Sequence, residues 1–450
     1  MGGGISGLSA GYYAAKRHPI RVYESSHRPG GVIGSIGVEG CVLETGPDSI
    51  AAGKPWGLEL CRELGLEGDL VPSLPALRTL VFGQRGFYPV PEGFRALDPR
   101  AVLSLALGSA LSFGGKLRAL LDLFLPRGPA VDQTVARFVL RRWGGEVLER
   151  LVQPVLAGLW AADPERLSVV STFPELLELE QRYRSILVGM IRQPRPARTS
   201  TPAFYTLRPG LAGLIDRLAR ALPRGSLRVR APVSSVRPCP EGWRVAAGPL
   251  EEPAAGLILA LPAPRSAELV EPFAPGLAVL LRSVPYRTVT TVNMVYAVDQ
   301  VELPPGAAGL VVARSTGLEL LAVTFCHRKY PGRAPLDRAL LRCFTRGGGR
   351  SRADLVAQIA RELGRLLRMR GEPLAVEVGS HPQAVPEYPV GHRERVQRLA
   401  EELRRWPGLR IIGNGLEGVD LSDCIRSARL AASSILDGDP GNLTPAGVSS

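Results

Sequence analysis

Apolar positions change their spacing several times along this chain, and the changes mark out an α/β protein. After an opening run of glycines, 8–17 reads as a helix and 20–23 as a short apolar strand that ends at Glu24. The stretch 103–113 is apolar with small residues and is followed by Lys116, Arg118 and Arg127, the pattern of Leu-rich amphipathic helices. Asp132 is placed to cap a helix over 135–143, which Gly144-Gly145 breaks; a second helix runs from Glu146 past Pro154. From about 207 the α/β rhythm returns. It predicts a helix over 211–222, alternating strands over 227–236 and 243–246, and a fully buried strand at 257–260 that stops before Pro262. Strands follow at 288–298, 309–313 and 318–325, then a helix over 352–368 and strands at 374–378 and 409–412. A last helix runs to about 436, and the Pro-, Gly- and Ser-rich tail 438–450 reads as disordered. No internal repeat is visible.

The 450 residues are 45% hydrophobic and 22% charged, which suits two to three folded domains and excludes wholesale disorder. The six cysteines have no C-x-x-C spacing and the five histidines no H-x-x-H, so neither a disulfide framework nor a metal centre is expected. No apolar run reaches the ~20 residues of a spanning helix, and no secretory signal is visible. The net charge of +13 is carried almost wholly by arginine, since only Lys16, Lys54, Lys116 and Lys329 are lysine. Such a chain has affinity for anions: acidic lipid or a carboxylated substrate. Without a dense basic run or an aromatic ladder, nucleic acid is not an expected partner.

The N-terminal glycines carry candidate chemistry. Gly2, Gly4 and Gly7 match G-x-G-x-x-G, in which the first glycine allows a tight turn, the second close approach to a pyrophosphate, and the third close helix–strand packing. Glu24, 20 residues after Gly4, stands where a carboxylate accepts from ribose hydroxyls. The fingerprint should follow a buried strand, yet only Met1 precedes it, so a gap is expected in the parallel sheet beside 20–23. Arg28-Pro29-Gly30-Gly31 and Glu44-Thr45-Gly46-Pro47 add loops that a nicotinamide domain does not need.

Together with the run from Pro154 to Ser168, the segment Tyr330-Pro331-Gly332-Arg333-Ala334-Pro335, Val385-Pro386-x-Tyr388-x-x-Gly391-His392 and Gly418-Val419-x-x-x-Asp423-Cys424-Ile425, these motifs resemble the flavin amine oxidase superfamily, within it the porphyrinogen oxidase branch. The resemblance covers nearly the whole chain. It implies a Rossmann-like FAD-binding domain of the glutathione-reductase type, discontinuous over 1–76, 207–265 and 374–437, with its first strand missing. It also implies a mixed-sheet substrate domain (77–90 and 266–373) and an inserted helical, membrane-associating domain (91–206). The implied cofactor is noncovalent FAD, contacted by Gly2, Gly3, Gly4, Ile5, Ser6, Gly7, Glu24, Ser25, Arg28, Gly31 and Val32. Gly46, Pro47, Asp48 and Ser49 would lie along the isoalloxazine, Val233 at the adenine, and Asn414, Gly418, Val419, Asp420 and Leu421 at the ring end. Arg78 would pair a substrate carboxylate and Tyr330 stack on a pyrrole. Val311 would form an apolar wall and Arg184 border the substrate. No metal is implied.

The implied reaction is six-electron oxidation of a porphyrinogen by FAD and molecular oxygen in heme biosynthesis, coproporphyrinogen III or protoporphyrinogen IX being the substrate. The implied location is cytoplasmic, peripheral on the inner membrane face, and the resemblance leaves room for a homodimer and hand-off to a ferrochelatase. A desaturase or amine oxidase of the same fold fits the fingerprint but not the 154–168 run; an inactive relative that has lost its first strand is the other alternative, and the sequence does not decide between it and an enzyme. The chain departs from the pattern at Arg208-Pro209-Gly210, where relatives commonly carry Gly-Gly. It departs again at Val32, often larger, at Tyr330, commonly Phe, and at His381, commonly Trp.

Overall fold

The computed structural model describes residues 1–94, 97–160, 162–193, 202–346 and 350–435; the expected disordered tail lies outside them. The dinucleotide half is assembled from distant parts of the chain. Helix Ile5–Ala14 is buried on nearly every side, because its small residues let neighbours close in. A Cβ on Gly11 would stand 2.8 Å from the Val22 side chain, and Ala10 packs with Ile412, Ala428 and Ala431. Helix Leu421–Ser434 lies against it. Two parallel strand pairs flank the helix, Val22–Tyr23 with Leu227–Arg228 and Leu257–Leu259 with Leu409–Ile411. Residues 1 and 2 lie between the two pairs and hydrogen-bond to both. The Met1 nitrogen donates to Ile258 O (2.6 Å), Ala260 N to Met1 O (2.8 Å) and Gly2 N to Tyr23 O (2.8 Å).

The second half is a seven-stranded sheet. Its order is Ala375–Pro386, Tyr286–Ala297, Arg338–Thr345, Leu320–Phe325, Ala307–Val312, Arg78–Gly83 and Gly86–Pro89. Only Ala307–Val312 and Arg78–Gly83 run parallel. Strand alternation gives the sheet two different faces. Val292, Met294, Leu341 and Cys343 pack under helix Arg352–Leu367 with Ile359, Leu363 and Leu367. On the other face Asn293 and Arg342 turn to the dinucleotide half, and Val311 and Ala322 turn to the helical insertion. Strand Ala375–Pro386, grouped from the sequence with the dinucleotide half, pairs along Tyr286–Ala297. Val376 and Val378 extend the same apolar face.

The insertion packs around Phe138, Val139, Leu151 and Ile186. One local expectation, the cap of 135–143, is corrected here. The apolar stretch 103–113 divides into helices Pro99–Leu107 and Phe113–Leu120, capped by Asp98 and Ser112. Helix Val135–Arg142 is capped by Thr134, whose Oγ1 accepts from Arg137 N (3.1 Å). Asp132 instead accepts from Ser168 Oγ and Gly391 N, tying the insertion to the C-terminal half. No described helix is long and apolar enough to cross a membrane.

Candidate functional site

The fingerprint folds as its glycines dictate. A Cβ on Gly7 would fall 1.8 Å from Gly2 O, and Gly2 itself has φ +90°. A Cβ on Gly4 would meet nothing within 4 Å. Gly4 stands at the N-cap of Ile5–Ala14 with no side chain capping that end, so the helix presents its first N–H groups to open space, an arrangement that stabilises a phosphate. Gly30 N donates to Gly3 O (2.7 Å), which brings Gly31 beside Gly4. Arg28 Nη1 donates to Ile33 O (2.8 Å) and holds that loop.

Glu24 is buried. Its Oε2 accepts from Gly3 N (2.7 Å) and its Oε1 from Ser26 N (2.8 Å), with Ser25 Oγ at 3.4 Å. Burial alone would raise this carboxyl; the Ser26 and Gly3 hydrogen bonds outweigh it and hold the group below its ordinary pKa. Ala231 N and Arg230 N donate to Glu24 O and Ser26 O, which brings the start of strand Val233–Cys239 alongside.

The segment 44–49 is clamped from the far side of the molecule. Arg333, itself buried, donates to Glu44 Oε1 (2.7 Å), and Asn293 Nδ2 donates to Glu44 O (3.2 Å). His381 Nε2 lies 2.6 Å from Thr45 O, and Arg342 donates to Gly46 O. Lys329 Nζ pairs with Asp48 (3.3 Å), which also accepts from Ser49 Oγ (2.8 Å). Burial pushes the Asp48 carboxyl up, but Lys329 and Arg342 beside it prevail and keep it well below the carboxylate range. A Cβ on Gly46 would lie 1.8 Å from Val32 O, so the loop passes directly over Val32.

Beside this clamp, Arg342 Nε and Thr291 Oγ1 are buried without a hydrogen-bond partner, and Arg342 Nη1 meets only Asp48, in an ion pair at 3.9 Å. Native interiors rarely leave such groups unpaired. Burial pushes the Tyr330 hydroxyl up to about 12. At the C-terminal end, Asn414 Nδ2 donates to Ala384 O (2.9 Å) and Tyr388 Oη to Asn414 O (2.6 Å). Gly418 has φ +66°, and the Asp423 side chain fills the place of its missing Cβ. Asp420 caps helix Leu421–Ser434 and binds Lys54 (2.6 Å); Val419 precedes it. An uncapped helix end with an open glycine cradle at one end, and unpartnered buried donors at the other, fit a dinucleotide carrying a polar ring.

Arg78 begins its strand exposed to solvent, level with Ala307. Val311, 4% exposed, abuts Gly158 of helix Gln153–Trp160. Tyr330 lies under Lys329 Nζ, 4.8 Å from its ring centroid. Arg184 sits apart from these three. It caps helix Pro174–Tyr183 at φ +67°, and its guanidinium donates to Leu123 O (2.9 Å) inside the insertion. Lys329, Arg342 and Asn293 were not singled out from the sequence, and Arg333 stood there only as part of the Tyr330–Pro335 segment, with no role given. For Asn293 and Arg342 the signal was an amide or a charge set in an apolar strand; Lys329 ends the short helix Cys326–Lys329 and carries no such signal.

Residues 5–436 match the family of flavin containing amine oxidoreductases. The chain is 28% identical over 459 residues to coproporphyrinogen III oxidase of Bacillus subtilis, covering 97% of each. It is 31% identical to protoporphyrinogen oxidase of Homo sapiens, covering 98% of each. A crystal structure from Exiguobacterium sp. 255-15, described as a protoporphyrinogen oxidase, superposes with a TM-score of 0.85 at 29% identity, over 96% of this chain and 97% of that one.

Proposed function

Since the chain belongs to the flavin containing amine oxidoreductases and is an oxidoreductase with FAD as its cofactor, we propose that it oxidises a porphyrinogen to the porphyrin in heme biosynthesis, with molecular oxygen as final acceptor. One observation carries this reading: end-to-end similarity to both coproporphyrinogen and protoporphyrinogen oxidases, with no part of the fold left over. The chemistry FAD supplies when bound is two-electron hydride acceptance and return of the pair to oxygen, so three rounds remove six electrons.

The residues of the chain bind and orient. The first turn of Ile5–Ala14 and the backbone at Gly4 and Gly31 hold the pyrophosphate, and Glu24 takes the ribose hydroxyls. The clamped 46–49 segment, Asn414 and 418–421 border the ring. The guanidinium of Arg78 pairs a substrate carboxylate through its planar fork, while Val311 and Tyr330 exclude water from the macrocycle. The exposed apolar face of the insertion, around Leu107 and Phe113, seats the enzyme on a membrane surface.

The test is aerobic incubation of flavin-loaded protein with coproporphyrinogen III and, separately, protoporphyrinogen IX. Appearance of the porphyrin Soret band, dependent on flavin and consuming oxygen, is the expected result. A yellow, folded enzyme that forms no porphyrin from either substrate overturns the reading.

A further inference from the structure

Arg78 and Tyr330 sit at one end of the seven-stranded sheet, where Arg78 is level with Ala307 and Tyr330 follows strand Leu320–Phe325. At the other end a cleft of about 780 Å³ opens between the insertion and the start of helix Arg352–Leu367. The run from Ala307 to Arg314 separates the two ends by roughly 20 Å at strand rise. The clamp on 44–49 lies between them, since Asn293 and Arg342 face each other in mid-sheet.

Five arginines line the cleft: Arg287, Arg314, Arg346, Arg350 and Arg352. Asp163 is the one carboxylate among its described lining residues. Most of these guanidiniums are loosely held. Arg314 reaches Asp163, Arg350 reaches Glu319 and Arg352 reaches Glu377, each at 3.4 Å and each with the arginine side chain about half exposed or more. Arg287 pairs with Glu387, which also serves Arg166. The Arg346 guanidinium donates to Leu318 O (3.2 Å) and has no carboxylate partner among the described residues. Guanidiniums outnumber the carboxylates that answer them, and the long exposed pairs are weak enough to exchange for an incoming anion. Thr290 and Ser380 line the same space, with Ala157 and Leu321 as apolar wall. The cleft shares helix Gln153–Trp160 with the Val311 wall.

We propose that this arginine cleft is a second carboxylate-recognition site, remote from Arg78, through which the enzyme selects a tetracarboxylate tetrapyrrole over a dicarboxylate one. The proposal rests on the porphyrinogen reading and names the substrate class of that same site. The two porphyrinogens differ where one carries two further propionates and the other two vinyls. A desolvated propionate needs a charged partner; a vinyl gains nothing from a guanidinium. Arg314 and Arg346, the most loosely held pair beside the insertion, are the specificity-determining residues.

The experiment titrates FAD-loaded full-length protein with coproporphyrin III and protoporphyrin IX, following fluorescence, in wild type and in the double variant Arg314→Gln/Arg346→Gln. The ratio of the two dissociation constants should fall by tenfold or more in the double variant, and the KM for coproporphyrinogen III should rise with kcat retained. Arg78→Gln should weaken both ligands alike. In wild type, the tetracarboxylate affinity should fall more steeply with salt than the dicarboxylate affinity; this needs no variant to fold. An unchanged ratio in a folded variant, or equal salt slopes in wild type, overturns the cleft site while porphyrin formation leaves the enzymatic reading standing. Wild-type protein that neither binds nor forms either porphyrin overturns both.

Discussion

Two glycines three residues apart in the fingerprint have opposite reasons for lacking a side chain, and substitution separates them. Gly4 stands in open space at φ −73°, a conformation any residue adopts. Gly4→Ala should therefore fold with stability within about 1 kcal/mol of wild type, yet its methyl would occupy the phosphate cradle. Flavin retained after desalting should fall at least tenfold, read by absorbance against a thermal melt. Gly7→Ala puts its methyl into Gly2 O, and should lose the folded state itself. The Lys329–Asp48 pair makes a prediction with a pH sign. Asp48 titrates below the ordinary aspartate value in the folded protein, so its stabilisation is complete above about pH 4 and is lost as pH falls beneath that. Lys329→Met should cost about 3 kcal/mol at pH 7. The gap to wild type should close below about pH 4, and Asp48→Asn in the same chain should restore much of it; denaturant melts at both pH values check this. The fingerprint and Glu24 were legible because their geometry is local: 24 residues contain the whole requirement. The contacts of Lys329, Arg333 and Arg342 were not, because the groups they meet lie 281 to 296 residues away, and no spacing rule reaches that far.

Elements show the same division. Helix Arg352–Leu367 follows its apolar period and its Ser351 cap closely. Strand Ala375–Pro386 runs eight residues beyond its readable apolar stretch, through Gly379, His381 and Pro382, because pairing to Tyr286–Ala297 rather than side-chain pattern holds that part. The cap of Val135–Arg142 was misread by two residues, since both Asp132 and Thr134 suit the role and only packing assigns Asp132 to Ser168. The end of that helix carries the buried arginine of the insertion. Arg142 is fully buried and donates to Asp122, to Glu180 Oε1 (3.3 Å) and to the carbonyls of Pro126 (3.0 Å) and Arg184 (2.7 Å). Arg142→Met leaves Asp122 uncompensated and unfastens three segments at once. A loss of roughly 3–5 kcal/mol is expected by denaturant titration, larger than for Arg141→Met, whose guanidinium is partly exposed.

For the whole molecule, the insertion displays an apolar surface that no other part of the described chain covers. Leu107 is 79% exposed, Phe113 80% and Phe124 76%, while Leu111 is 5% exposed and belongs to the core. Lys116 stands on the same helix as Phe113. Each such side chain contributes about 1.5–3 kcal/mol when taken out of water. Wild-type protein should float with anionic liposomes, and Leu107→Asp with Phe113→Asp should abolish flotation without moving the thermal melt. Unchanged flotation would assign this face to something other than lipid.

The clamp on residues 44–49 also imposes an order of assembly on the growing chain. The loop is made early in synthesis, but Asn293, Lys329, Arg333, Arg342 and His381 emerge from the ribosome hundreds of residues later, and helix Leu421–Ser434, which backs the fingerprint helix, later still. On the reading proposed above, a chain ending before residue 293 lacks both the wall that helix Leu421–Ser434 supplies and the anchors of the 44–49 loop, and should retain flavin less well than the full-length protein, a difference that absorbance after desalting reads.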